Sequence, residues 1–103
     1  MCLKRRNEFR INNSKKGRGH PSYIYKKVGD EYYFIGITHS DVTHGARNIK
    51  LDKNPNPTDN RTSYFRHFAT KDKISKFGKK KKGWKLSLKD KMKARRIKKN
   101  FNE

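Results

Sequence analysis

The stretch Glu31-Tyr32-Tyr33-Phe34-Ile35-Gly36-Ile37-Thr38 decides the fold. It is aromatic and β-branched, with no proline, which is the composition of a strand. Side chains of a strand alternate between its two faces. Tyr33, Ile35 and Ile37 therefore share one face, and Tyr32, Phe34 and Gly36 share the other. Both faces are apolar, which predicts a central strand covered on two sides. Upstream, Val28-Gly29-Asp30 reads as a turn, and Ser22-Tyr23-Ile24-Tyr25-Lys26-Lys27 as the strand before it. Pro21 stands at that strand's start, where a missing N–H is tolerated. The two runs form an antiparallel hairpin.

Downstream, residues 39–61 are irregular, apart from a short strand at Asn48–Leu51. Asn54-Pro55-Asn56-Pro57 excludes a helix or an interior strand, because proline lacks an N–H and restricts its predecessor. A loop this long in so small a chain is either functional or mobile. Thr62–Phe68 is the next strand, and Thr70–Ser75 a short helical turn. The alternation of Trp84, Leu86 and Leu88 predicts a final strand. Ser87 with Asp90 three residues on matches a capping-box start. The helix that follows, to Phe101, is poorly amphipathic: Leu88 and Met92 lie opposite Ala94, Ile97 and Phe101. A solvated or nucleic-acid-facing basic helix is expected. Residues 1–19 show no period and read as a flexible basic arm. The fold class expected is mainly β (α+β). A small SH3-like or OB-like antiparallel barrel over 20–88 follows the arm 1–19 and precedes a basic helix or tail, 89–103.

Charge is distributed unevenly along the chain. There are 29 Lys+Arg against 9 Asp+Glu, a formal net of +20 in 103 residues. Residues 1–19 hold 7 basic and 1 acidic side chains, residues 20–70 hold 7 and 5, and residues 71–103 hold 15 and 3. Two cationic flanks thus enclose a near-neutral centre that can pack on itself. Flanks of this kind repel themselves and pair with a polyanion, and counterion release favours nucleic acid. Leu, Ile, Val and Phe total 19 residues, below the roughly 20% where high charge begins to favour disorder. Most of them fall between His20 and Leu88, so one small core is expected. Cys2 is the single cysteine, which excludes an intramolecular disulfide and a cysteine zinc site. No secretory h-region and no apolar run of about 20 residues is present, so the expected location is cytoplasmic, with no membrane partner.

Lys79-Lys80-Lys81-Lys82 lies between Phe77-Gly78 and Gly83-Trp84, with Lys85 beyond. Aromatics that anchor a lysine-bearing bend make a phosphate clamp, with point charges and no base readout. Arg95 and Arg96 on the final helix extend the basic surface. Tyr23 and Tyr25 are candidates for a stacking platform for single-stranded bases. His39 and His44 flank Asp41 in a spacing that matches no zinc motif, so no metal and no other cofactor is expected. A metal-independent ribonuclease needs less, because RNA brings its own 2′-OH nucleophile. The protein supplies a base, an acid and cations. His39 and His67 are candidates for proton transfer, Arg47 and Arg66 for phosphate charge, and Thr38 for positioning.

Residues His20–Ser40, HPSYIYKKVGDEYYFIGITHS, resemble the opening of the PemK/MazF and ToxN-type small toxins. There a proline-bearing first strand and a glycine turn lead to a strand ending in a Thr-Ser-like dipeptide. Thr38 is the matching position. His39 stands where the family has a serine, with Ser40 one place later. The resemblance covers about 20 of the 103 residues. It implies an SH3-like barrel, sequence-selective endoribonuclease activity without metal, and an RNA or protein antitoxin as partner. The expected partner is RNA, with DNA as the alternative. The expected function is RNA binding, with toxin-type ribonuclease activity as its specific form. The rival is a non-enzymatic accessory protein, ribosome-associated or from a mobile element.

Overall fold

The computed structural model describes residues 3–13 and 19–101, without the side chains of Leu3, Lys4 and Phe101. In chain order the elements are β1 (Leu3–Asn12), β2 (His20–Val28), β3 (Glu31–Thr38), β4 (Val42–Thr43), β5 (Ala46–Arg47), β6 (Ile49–Lys50) and β7 (Tyr64–Lys73). A 3-10 turn (Ile74–Lys76) and helix α1 (Leu88–Phe101) follow. Five strands form one antiparallel sheet in the order β1-β2-β3-β7-β6, and β4-β5 is a separate small hairpin. The fold is mainly β with one C-terminal helix, and among the described residues β1 and β6 are the outermost strands of the sheet.

β3 sits in the middle of the sheet, as its two apolar faces require. On one face Tyr33, Ile35 and Ile37 join a core with Tyr23, Tyr25, Phe65, Leu86, Ala94 and Ile97. On the other, Tyr32 and Phe34 pack with Ile24, Ile74 and Phe77. Gly29 at the β2–β3 turn has φ +60°, a backbone state that glycine adopts without a Cβ clash.

Four sequence expectations are corrected. First, Leu3–Asn12 is not a loose arm but an edge strand, with Phe9 only 1% exposed and packed, rings tilted, against Tyr23 at 5.3 Å and Trp84 at 5.8 Å between centroids. A bulge between Arg5 and Glu8 breaks the alternation that would have marked it. Residues 1–2 and 14–18 of the expected arm lie outside the described residues. Second, Trp84–Ser87 forms no strand; Leu86 is buried in irregular backbone, and Leu88 opens α1 at 77% exposed. Third, β7 continues to Lys73, so a helical turn covers only Ile74–Lys76. Fourth, α1 is not solvated all round: Ala94 and Ile97 enter the same core as the sheet, while Leu88 and Met92 face out. Half of the capping box forms: the Asp90 N–H donates to Ser87 Oγ at 3.1 Å, while the Asp90 carboxylate accepts from the Asp52 and Lys53 N–H groups.

The outer edge of β1 is covered from Phe9 to Asn12. Asn12 bridges Phe77, the Gly78 N–H donates to the Ile11 carbonyl at 2.9 Å, and the Lys81 N–H donates to the Phe9 carbonyl at 2.8 Å. Residues 77–81 therefore run beside β1 and deliver the lysine run to one side of the sheet.

Candidate nucleic-acid interface

The long segment between β6 and β7 is held in place. Asp90, fully buried, accepts from the Asp52 N–H at 2.8 and 3.0 Å and from the Lys53 N–H at 3.2 Å. Lys93 pairs with Asp90 at 3.2 Å and donates to the Lys50 carbonyl at 2.8 Å. Further along, side-chain oxygens of Asn54, Asn56 and Asp59 each accept the backbone N–H two residues ahead, at 3.0 Å. Such Asx turns stand in for the ladder that Pro55 and Pro57 deny. The segment is a fixed ridge.

Three concavities surround this ridge and its neighbours. One of about 480 Å³ is lined by Thr38, His39, Asn54, Asp59, Arg61 and Trp84. A second, of about 860 Å³ on the other flank of the ridge, includes Lys50, Lys53, Arg61, Gly83 and Lys85. The third, of about 350 Å³, lies against Lys80, Lys81, Lys82, Trp84 and Lys85. Trp84 belongs to the first and third, and Arg61 to the first and second. Trp84 packs on Phe9 with one side and stays half-buried. The result is a groove with an aromatic face in the middle and cations on both sides.

Arg61 is pre-positioned by Asp59, through Nε at 3.0 Å and an NH2 pair at 2.8 Å. Hydrogen bonds and charge from Arg61 hold the Asp59 carboxyl well below the usual carboxylate range. His39 places Nδ1 3.0 Å from the Thr62 carbonyl, which can only accept, so Nδ1 carries a proton. Its Nε2 faces Asp59 Oδ2 at 3.6 Å.

Of the catalytic candidates, only Thr38 and His39 line this groove. Arg66 lies across Gly36 on the opposite side of the sheet, and a Cβ at Gly36 would sit 3.0 Å from its Cδ. It lines a separate cavity of about 260 Å³ with His20, His44, Phe34 and Phe68. His67 is tied to Asn48. That amide donates to the Ser40 carbonyl and to Thr43 Oγ1, so its oxygen accepts from the His67 N–H and faces His67 Nδ1 at 3.2 Å. Nδ1 therefore carries the proton. Arg47 is exposed on the β4-β5 hairpin. The expected five-residue constellation does not assemble.

Among the binding candidates, Lys79, Lys80, Lys81, Lys82 and Lys85 are exposed, as are Arg95 and Arg96 on α1. Tyr23 and Tyr25 are corrected: at 7% and 5% exposed they are core side chains and offer no stacking platform. Two residues apart on β2, they share the face that alternation turns toward the core. Burial raises the Tyr23 phenol above its usual range. Sequence reasoning missed Asp59, whose signal is a carboxylate two residues before Arg61 in a turn. It also missed Asn48, which carries no local signal. Among the described residues, no group of three or more His, Cys, Asp or Glu side chains could hold a metal ion, and no helix is long and apolar enough to cross a membrane.

Compared with family models, curated proteins and solved structures, the chain has no significant match.

Proposed function

We propose that this protein binds single-stranded nucleic acid, RNA before DNA, along the groove that runs from the lysine bend past Trp84 to Arg61. The observation that carries the reading is Trp84. It is a half-buried indole shared by two concavities, with Lys80–Lys82 on one side and Arg61 on the other. An unpaired base stacks on such a face while cations track its phosphates, and this mode tolerates any sequence. The net charge of +20 supplies the long-range attraction. Duplexes hide the base faces that the indole would use, which favours single strands and loops. An SH3-like barrel belongs to the same reading, supported by bulges in three strand pairings, each of which bends its strand.

One observation favours a second reading, the metal-independent ribonuclease of the toxin type, with an antitoxin as partner. Thr38, His39 and Arg61 open on the same concavity. His39 would take the 2′-OH proton and Arg61 would meet the charge growing on the phosphate. His67 lines none of these concavities, so this reading has one proton-transfer residue where two are wanted.

A single preparation tests both. Titration with labelled single-stranded RNA, read by Trp84 fluorescence at several salt concentrations, is expected to show quenching. Affinity should fall steeply with salt, each phosphate contact adding about 0.7 to the log–log slope. Affinity independent of salt overturns the binding proposal. Incubation of several RNAs in EDTA, with and without a 2′-deoxy substitution at any cut site, decides catalysis. Cleavage lost with that substitution establishes the ribonuclease, and intact RNA bound by folded protein leaves the binding reading alone.

A further inference from the structure

At the other end of the sheet, strand register lines up four side chains in one row. Arg5 lies opposite Lys26, Lys26 opposite Tyr33, and Tyr33 opposite Lys71. The bulge after Ile24 turns Lys26 onto the helix side, out of step with the rest of β2. The row crosses three inter-strand gaps, about 14 Å at roughly 4.8 Å each. Lys26 Nζ sits 4.4 Å from the centroid of the Tyr33 ring, and Lys71 Nζ 5.8 Å. Lys98 reaches down from α1 to within 5.1 Å of the Tyr25 ring, which meets Tyr33 edge-on at 6.4 Å. Arg95 stands one helical turn before Lys98.

Cations in this arrangement repel one another. Like charges directly opposite in a sheet are destabilising, and so are like charges a turn apart on a helix. Among the described residues Glu31 pairs with Lys71 at 3.3 Å, but no ion pair joins Arg5, Lys26, Arg95 or Lys98 to a carboxylate. Partial burial, with the charges of Arg5, Arg95 and Lys26, holds the Lys98 ammonium below the usual lysine range. Tyrosine faces offset part of the repulsion by cation–π attraction. An anion placed over the row would relieve the remainder.

We propose that Arg5, Lys26, Lys71 and Lys98 form a phosphate-binding row, a second seat for a nucleic-acid backbone separate from the Trp84 groove. That the polyanion is nucleic acid rests on the function proposed above. The row reads no sequence, because lysine and strand-borne arginine here offer charge without a base-edge partner. Pro21 lines the groove's first concavity, and Lys26 lies five residues further along β2. That distance is about 17 Å at a strand's roughly 3.3 Å per residue. One backbone seated at both places spans several nucleotides along the sheet.

The test separates the row from the function. Full-length protein, Lys26→Gln and Lys98→Gln are melted at low salt with and without sodium tripolyphosphate, then titrated with RNA. Both variants are expected to melt higher than the parent without polyphosphate, since each removes repulsion. Each should also gain less from tripolyphosphate and lose about 0.7 from the RNA salt slope. Lys82→Gln, at the exposed lysine bend, should lose slope without a higher melting temperature. Variants that melt no higher and keep the full tripolyphosphate response overturn the row. If RNA binds with an unchanged slope in both variants, the row falls and the nucleic-acid reading stands. If tripolyphosphate responds as expected and RNA does not bind, the row stands and that reading falls. Should Lys98→Gln fail to fold, Lys26→Gln, on the sheet surface, carries the test.

Discussion

At the Thr38 end of the sheet Arg61 and Lys93 come with carboxylates; at the Lys26 end Lys26 and Lys98 come with tyrosines, and Lys71 has both Glu31 and Tyr33. Arg61 is gripped by Asp59, and Lys93 by Asp90. Lys26 and Lys98 rest on Tyr33 and Tyr25. A carboxylate fixes where a cation points and offsets part of its charge. A ring face lowers the cost of the cation and leaves its charge available. The first end is therefore ordered before any ligand arrives, and the second holds repulsion that a ligand would relieve. β1 repeats the contrast within one strand: Arg6 and Arg10 are tied to Glu8, while Arg5 on the other face is tied to no carboxylate among the described residues.

The largest expected effect breaks the ordered end. Asp90→Ala strips the Asp52 and Lys53 N–H groups of their acceptor and frees the ridge. Two orphaned donors at about 1–3 kcal/mol each make a loss of about 3 kcal/mol reasonable, read as a lower urea midpoint. Affinity for RNA should fall with it, while tripolyphosphate should still stabilise whatever remains folded. An unchanged midpoint would mean the ridge does not depend on this carboxylate.

Next in size is the aromatic face. Trp84→Ala should cost about 1–3 kcal/mol in single-stranded RNA affinity, roughly a fivefold to 150-fold weakening. Trp84→Phe should recover most of it, and neither change should alter the response to tripolyphosphate. A tripolyphosphate effect that vanishes with the indole would merge the two ends into one site.

The smallest effect sharpens the contrast inside β1. Burial pushes the Glu8 carboxyl up, but hydrogen bonds and charge from Arg10 and Arg6 outweigh it and leave it below its ordinary value of 4.5. A carboxyl lowered in the folded state stabilises the fold above its unfolded pKa. That contribution fades as pH drops from about 4.5 through the folded value. Thermal melts should therefore show part of the acid destabilisation of the parent missing in Glu8→Gln. Parallel pH curves would remove this ion pair from the account.

How much of this was legible depends on whether a feature is local. β3 announced itself through two apolar faces, and Ser87 with Asp90 marked the start of α1. β1 did not, because its bulge puts Phe9 out of step with the residues before Glu8. Trp84 and Leu86 both reach the core from irregular backbone, which imitates the alternation of a strand. Tyr23 and Tyr25 carry no mark that separates a core tyrosine from a stacking one. The groove was half legible: the lysine run and Trp84 stood out, but the return of residues 54–61 to their side is a tertiary fact. The cationic row was not legible at all. Arg5, Lys26, Lys71 and Lys98 are scattered along the chain, and register, a bulge and the packing of α1 on the sheet bring them together.

The segment that covers the outer edge of β1 has a consequence for how copies of this chain meet. An uncovered edge is a template on which a second molecule can add a strand. Here Gly78 and Lys81 occupy that template from within, and the same segment projects Lys79–Lys82 outward. Along Phe9–Asn12 the edge is closed once by hydrogen bonds and again by charge. Colloidal stability and affinity for a polyanion thus draw on the same four side chains, so neutralising the bend gives up some of both.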